Sequence, residues 1–217
     1  MSLSALLGLE AGERVAVVGC GGKTSLIGLL AAENAPQGVL IAPTTRIGLA
    51  QRVSQPGIAY LGQPQGEKLC AAPLEDILTA SAAYPLTLME ADGSKGLPLK
   101  GWADHEPVVP DFTTLTIGVV SAKAVGLPAT PEHAHRLPLF LTQAGLGEGD
   151  VVEEAAVARM IRWCMDRHGR GRLVVAVNQA DTPLLRSRAA RIARELEGFT
   201  GIVLMGTTGE GSSWERI

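Results

Sequence analysis

The stretch Val15-Ala16-Val17-Val18-Gly19-Cys20-Gly21-Gly22-Lys23-Thr24-Ser25 decides the fold. Four small or branched apolar residues run into a glycine-rich turn, a Lys-Thr pair and then the apolar segment Leu26 to Ala32. That order reads as strand, turn, helix. A strand apolar at consecutive positions is covered on both faces, as in a parallel sheet. Glycines let such a turn press its N–H groups against an oxyanion, and the helix start adds unpaired donors and a partial positive charge. In this reading Gly19, Cys20, Gly21, Gly22, Lys23, Thr24 and Ser25 bind nucleotide phosphates. Lys23 reaches the outer phosphates and the Thr24 hydroxyl holds Mg2+.

The spacing G-x-G-G-K-T is two residues shorter than G-x-x-x-x-G-K-[ST], since Val17 stands where the first glycine of the longer pattern belongs. It is similar to the short loop of the Mur-type ATP-dependent ligases. GTP and ATP, hydrolysis and group transfer all stay open at this point.

Working outward, branched-aliphatic runs recur at Gly38 to Ala42, Leu86 to Ala91, Thr114 to Val120, Arg172 to Val177 and Gly201 to Met205, beside the first run Arg14 to Val18. Helical stretches separate them: Thr24 to Asn34, Leu74 to Ala83, Val151 to Arg167 and Pro183 to Glu197. The alternation predicts a three-layer α/β, P-loop NTPase-like domain over residues 1–217, with a mostly parallel sheet flanked by helices. Its ligands belong at the carboxyl ends of the strands. Two segments rich in Gly, Pro and charge, about 93–110 and 122–138, read as long loops of the kind that carry function.

Leu86 to Gly96 is an apolar strand ending in Glu90 and Asp92. Carboxylates at a strand tip beside a phosphate loop are placed for Mg2+ ligation or for positioning water. Together with Lys23 they make the candidate catalytic set. The E-x-x-G spacing of Glu90 and Gly93 is similar to that of the GTPases serving nickel and cobalt enzymes. Thr44-Thr45-Arg46 follows the second strand, where Thr45 is a candidate fourth metal ligand with Thr24, Glu90 and Asp92, and Arg46 meets transferred charge. Val177-Asn178-Gln179-Ala180-Asp181 matches N-K-x-D at Asn178 and Asp181, with Gln179 in place of the lysine. An aspartate there accepts from the guanine N1–H and 2-amino groups, donors that adenine lacks. The tail Gly206 to Ser213 is placed to cover the base.

The chain of 217 residues has 19 Lys+Arg against 22 Asp+Glu, a formal net charge of −3. No basic field draws it to nucleic acid or to an anionic membrane. No apolar run reaches the roughly 18 residues of a spanning helix. Glu10, Glu13 and Arg14 interrupt the N-terminal stretch, which has no cation ahead of its apolar run and does not read as a signal peptide. Cys20, Cys70 and Cys164 are odd in number and lack any C-x-x-C, which fits a reducing, cytoplasmic setting. His105, His133 and His135 include an H-x-H without further ligands in register, and they read as structural or surface residues, with a His-Arg pair able to meet an anionic substrate or partner.

Several separated segments, G-C-G-G-K-T-S, A-P-T-T-R-I, M-E-A-D-G-S-K-G-L-P-L-K with H-E-P-V-V-P, S-A-K-A-V-G-L-P with H-R, and V-N-Q-A-D, together resemble the YqeC family, accessory proteins associated with selenium-dependent molybdenum hydroxylases. The similarity runs from about Glu13 to Glu210 and is most specific over Glu90 to Pro110. The resemblance implies a P-loop protein that assists maturation or insertion of a molybdenum or selenium cofactor, with a molybdenum hydroxylase or a cofactor-maturation protein as partner. The expected activity is Mg2+-dependent hydrolysis of GTP or ATP. The alternatives are a phosphotransferase or ATP-dependent ligase acting on a small cofactor precursor, with Lys95, Lys100 and His105 contacting substrate, and a non-hydrolysing nucleotide-binding chaperone.

Overall fold

A computed structural model describes residues 2–48, 55–208 and 211–217. In chain order its elements are α1 (Leu3–Leu7), β1 (Glu13–Gly19), α2 (Lys23–Asn34), β2 (Val39–Ile41), β3 (Ile47–Gly48), β4 (Ile58–Tyr60), β5 (Gln63–Gln65), β6 (Lys68–Cys70), α3 (Leu74–Ser81), β7 (Leu86–Glu90), β8 (Leu99–Lys100), β9 (Leu115–Ser121), β10 (Ala134–His135), α4 (Leu137–Ala144), α5 (Glu154–His168), β11 (Arg172–Asn178), α6 (Pro183–Glu195), β12 (Ile202–Thr207) and β13 (Ser213–Arg216).

The eight-stranded central sheet has the order β13-β12-β11-β9-β1-β7-β2-β4. Every pairing in it is parallel except β12 with β13. The six apolar runs of the sequence form six of its seven parallel strands, mostly buried on both faces as their near-continuous apolar character requires; the seventh, the edge strand β4, pairs with β2 and matches none of the expected runs. Alternate residues feed two cores. Val15 and Val17 face α1 and α2 through Leu3, Leu7, Leu26 and Leu30. Ala16 and Val18 share the other core with Ile77 of α3, Phe140 of α4, Ile161 of α5 and Ile192 of α6. The result is a three-layer α/β architecture. Among the described residues no helix is long and apolar enough to cross a membrane.

Strand β1 lies between β7 and β9, and the chain builds one half of the sheet before crossing to the other. The carboxyl end of β1 is therefore the topological switch point where α/β sheets open a crevice. Gly19, Glu90, Ser121 and Asn178 all end strands there.

The two expected loops are mostly irregular, but each carries a two-residue strand. The 93–110 segment contributes β8 and the 122–138 segment contributes β10, and these pair in parallel, Leu99 with Ala134 and Lys100 with His135. The second segment also runs into α4, whose alternation of Leu, Pro and Phe carries too few polar residues to mark a helix period. Within the expected base-covering tail, Gly206 and Thr207 finish β12 and Ser213 begins an edge strand paired back on it, while Gly209 and Glu210 lie outside the described residues.

Candidate functional site

The turn after β1 is built from glycines that its neighbours require. Gly19, Gly21 and Gly22 have φ of +102, +84 and +112, the left-handed region that glycine enters without penalty. A Cβ on Gly21 would also stand 2.6 Å from the Ser121 Cβ, and one on Gly19 or Gly22 would collide with the Val119 carbonyl or the Asn178 amide. The tightness lets the turn sit against the ends of β9 and β11.

Gly19 and Cys20 stand behind the loop. The Gly19 N–H donates to Asp92 at 3.1–3.2 Å, and the Cys20 N–H donates to the Val119 carbonyl at 2.9 Å. The Cys20 thiol donates to the Pro98 carbonyl, and burial pushes its pKa up to about 12, so it stays protonated and inert. The loop's outward face begins at Gly21. A cavity of about 510 Å³ opens there, lined by Gly21, Gly22, Lys23, Thr24, Ser25 and Glu90 on the loop side. Helix α2 starts with no side-chain cap and no acidic residue in its first turn, leaving its first N–H groups and its positive end to a ligand.

Lys23 is buried, 4% exposed. Its ammonium donates to the Gly19 carbonyl at 2.7 Å and lies 3.2 Å from Asp92 and 3.8 Å from Glu90. Burial works to lower its pKa, but the two carboxylates outweigh that and hold it above its ordinary value. The Thr24 hydroxyl donates to Glu90 at 3.1 Å. Burial of Glu90 raises its carboxyl pKa, against the pull of Lys23.

The two expected carboxylates separate here. Glu90 faces the cavity, whereas Asp92 is 0% exposed. Asp92 accepts from Trp102 Nε1 at 2.6 Å and from Gly19, and it pairs with Lys100 at 3.1 Å as well as with Lys23. All its lone pairs are directed at protein donors, so its geometry is that of a brace rather than of a metal ligand. Lys100 continues the line to Glu106 at 3.1 Å, and Arg136 closes it bidentately on Glu106 at 2.6 and 3.0 Å. Burial favours the neutral Glu106, but the Arg136 and Lys100 contacts win and bring its pKa down to about 2. Lys100 is thus sequestered within the protein, contrary to the expectation that it contacts substrate.

The segment after β2 is divided in the same way. The Thr44 hydroxyl donates to the Val108 carbonyl at 2.7 Å, the Thr45 hydroxyl is buried without a partner among the described residues, and Arg46 lines the cavity. Thr24 and Glu90, both on the cavity, are oxygen donors of the kind Mg2+ takes alongside phosphates and water, whereas the expected ligand Thr45 is not in the lining.

Asn178 ends β11 and donates to the Gly21 carbonyl at 3.0 Å, with its Oδ1 buried and unpartnered among the described residues. Gln179 follows at φ +62, accepts from the Ser121 hydroxyl and lines the cavity. Asp181 lies outside the lining, with its side chain 39% exposed and 2.9 Å from Lys123. Hydrogen bonds from Thr207 and Lys123 hold its pKa below the usual carboxylate value.

His133 meets the Thr130 hydroxyl at 3.1 Å, and its carbonyl and that of His135 accept from Leu99 and Gly101. Among the described residues no group of three or more His, Cys, Asp and Glu is placed to hold a metal ion. Sequence reasoning missed Trp102, the main neutral donor to Asp92, because a lone tryptophan in a Gly- and Pro-rich stretch carries no pattern.

A family model described as YqeC protein matches residues 15–138. The match takes in the glycine loop, Thr44 to Arg46 and the whole Glu90–Arg136 network, and ends before Asn178 and Asp181. "Uncharacterized protein YqeC" of Escherichia coli (strain K12) is 26% identical over 171 residues, 68% of this chain and 67% of that protein.

Proposed function

The chain belongs to the YqeC family, and we propose that it is a Mg2+-dependent nucleotide-binding protein that hydrolyses GTP in preference to ATP. The observation that carries this is the convergence on one cavity of an uncapped helix start, the Lys23 ammonium and the Thr24–Glu90 pair. N–H groups from Gly21 onward and the start of α2 bind the phosphates. Lys23 exchanges part of its contact with Glu90 and Asp92 for a phosphate oxygen. Thr24 and Glu90 hold Mg2+, which neutralises charge between the outer phosphates. Asp92 positions the loop by fixing the Gly19 N–H and Lys23, and touches no reacting atom. Asp181, ionised and anchored by Lys123 and Thr207, supplies the acceptor for guanine. Asn178 ties that end of the site to the loop through Gly21.

Thermal-shift and calorimetric titrations with GTP, ATP and their diphosphates, with and without Mg2+, test the reading. Tight binding that needs Mg2+, favours GTP, loses ten-fold or more in Lys23→Ala and loses the base preference in Asp181→Ala is the expected result. Absence of binding at millimolar nucleotide overturns it. A role in maturing a molybdenum or selenium cofactor rests on the family resemblance, and is tested by whether a molybdenum hydroxylase stimulates phosphate release.

A further inference from the structure

Besides Lys23, the cavity carries three cations that lie outside the glycine loop and helix start. Arg46 follows β2, Lys68 opens β6 and Lys95 follows β7, so three separate parts of the chain bring positive charge to one opening. All three are exposed, and among the described residues none has a carboxylate within ion-pair distance. The single carboxylate in the lining among the described residues, Glu90, is already engaged by Lys23 and Thr24. The lining outside the glycine loop is therefore cationic without compensation among the described residues.

Lys95 adds a second observation. Its φ is +52, between Ser94 and Gly96. An L-residue pays for that conformation and glycine does not, so the backbone favours glycine where a lysine faces the cavity. Strain of this kind persists where the side chain has work to do. The cavity's size, about 510 Å³, is within the range of pockets that bind small ligands.

We propose that Arg46, Lys68 and Lys95 form a second subsite, in the same cavity as the phosphate loop, that binds a small second substrate through a phosphate or carboxylate group. The proposal rests on the nucleotide reading of the loop. It makes the cavity a two-ligand site in which an anionic acceptor or effector shares the cavity with the nucleotide's outer phosphates, held there by cations that also offset repulsion between the two anions.

The test is calorimetry on the full chain, first saturated with a non-hydrolysable GTP analogue and Mg2+ so that the loop is filled. Pyrophosphate and citrate are then titrated as phosphate and carboxylate probes. Wild-type protein should bind at least one of them, and the one it prefers names the group. In Lys68→Gln/Lys95→Gln that affinity should fall ten-fold or more, with analogue affinity changed less than three-fold, and Arg46→Gln should weaken the probe as well. Lys95→Gly should raise the melting temperature while weakening the probe. Failure of both probes to bind loaded wild type overturns the proposal, as does an equal loss of analogue and probe affinity, which would assign the cations to the nucleotide. If the analogue itself does not bind, the nucleotide reading fails separately. Citrate titrated on the unloaded protein then decides: binding lost in the double variant supports the subsite, and binding retained, or none at all, removes it.

Discussion

Asp92 accepts from four protein groups, Gly19, Lys23, Lys100 and Trp102, while Glu90, two residues earlier, is left to the cavity. The strand alternation that puts both on one side is legible in the sequence; the division of labour between them is set by Trp102 and Lys100, which arrive with β8. Removing the indole donor leaves a buried carboxylate one hydrogen bond short. Trp102→Phe should therefore cost about 1–3 kcal/mol in denaturant unfolding and weaken nucleotide binding through a less well-fixed Gly19. Glu106 supplies a pH dependence. Its carboxyl sits at about 2 in the folded protein against an ordinary 4.5, so its contribution is complete above about 4.5 and is lost as pH falls from there toward 2. Because the pair is partly open to water, that contribution is about 1–2 kcal/mol. The stability gap between wild type and Glu106→Gln should be constant near neutrality and close below pH 4.5; a gap unchanged at pH 3 would contradict the assignment.

At the scale of elements, the glycine turn and six of the seven parallel strands were legible because each carries a local signal, glycine before Lys-Thr or a near-continuous apolar run, whereas the three-residue edge strand β4 carries none. The start of β10, the onset of α4 and the antiparallel β13 were not, since two-residue strands and an edge pairing depend on what lies beside them. The glycines themselves gain a meaning that the motif did not contain. Gly21 is required by Ser121 on β9 as much as by any ligand. Gly21→Ala should destabilise the protein by at least about 2 kcal/mol even without nucleotide, as measured by thermal unfolding. An effect confined to nucleotide affinity would show the loop free to adjust. The Asn178–Gly21 bond makes β11 a second support of the same turn. Asn178→Ala should lower melting temperature and nucleotide affinity together, whereas Asp181→Ala, on an exposed carboxylate, should change base preference with little change in stability.

For the molecule as a whole, the mostly parallel sheet places four strand ends around one crevice, and a line of alternating charge, Lys23, Asp92, Lys100, Glu106 and Arg136, runs from it to the start of α4. Beside that line stand two stacked indoles. Trp102 lies 6.4 Å from Trp163 with 16° between the rings, and Arg167 lies over the Trp163 ring at 4.4 Å. The ring whose N–H holds the loop's carboxylate is thus half of a coupled chromophore that extends to α5. Any ligand that draws Lys23 away from Asp92 alters the field at that indole. Occupancy of the loop becomes an optical quantity, readable in near-ultraviolet circular dichroism and tryptophan emission from the unlabelled protein.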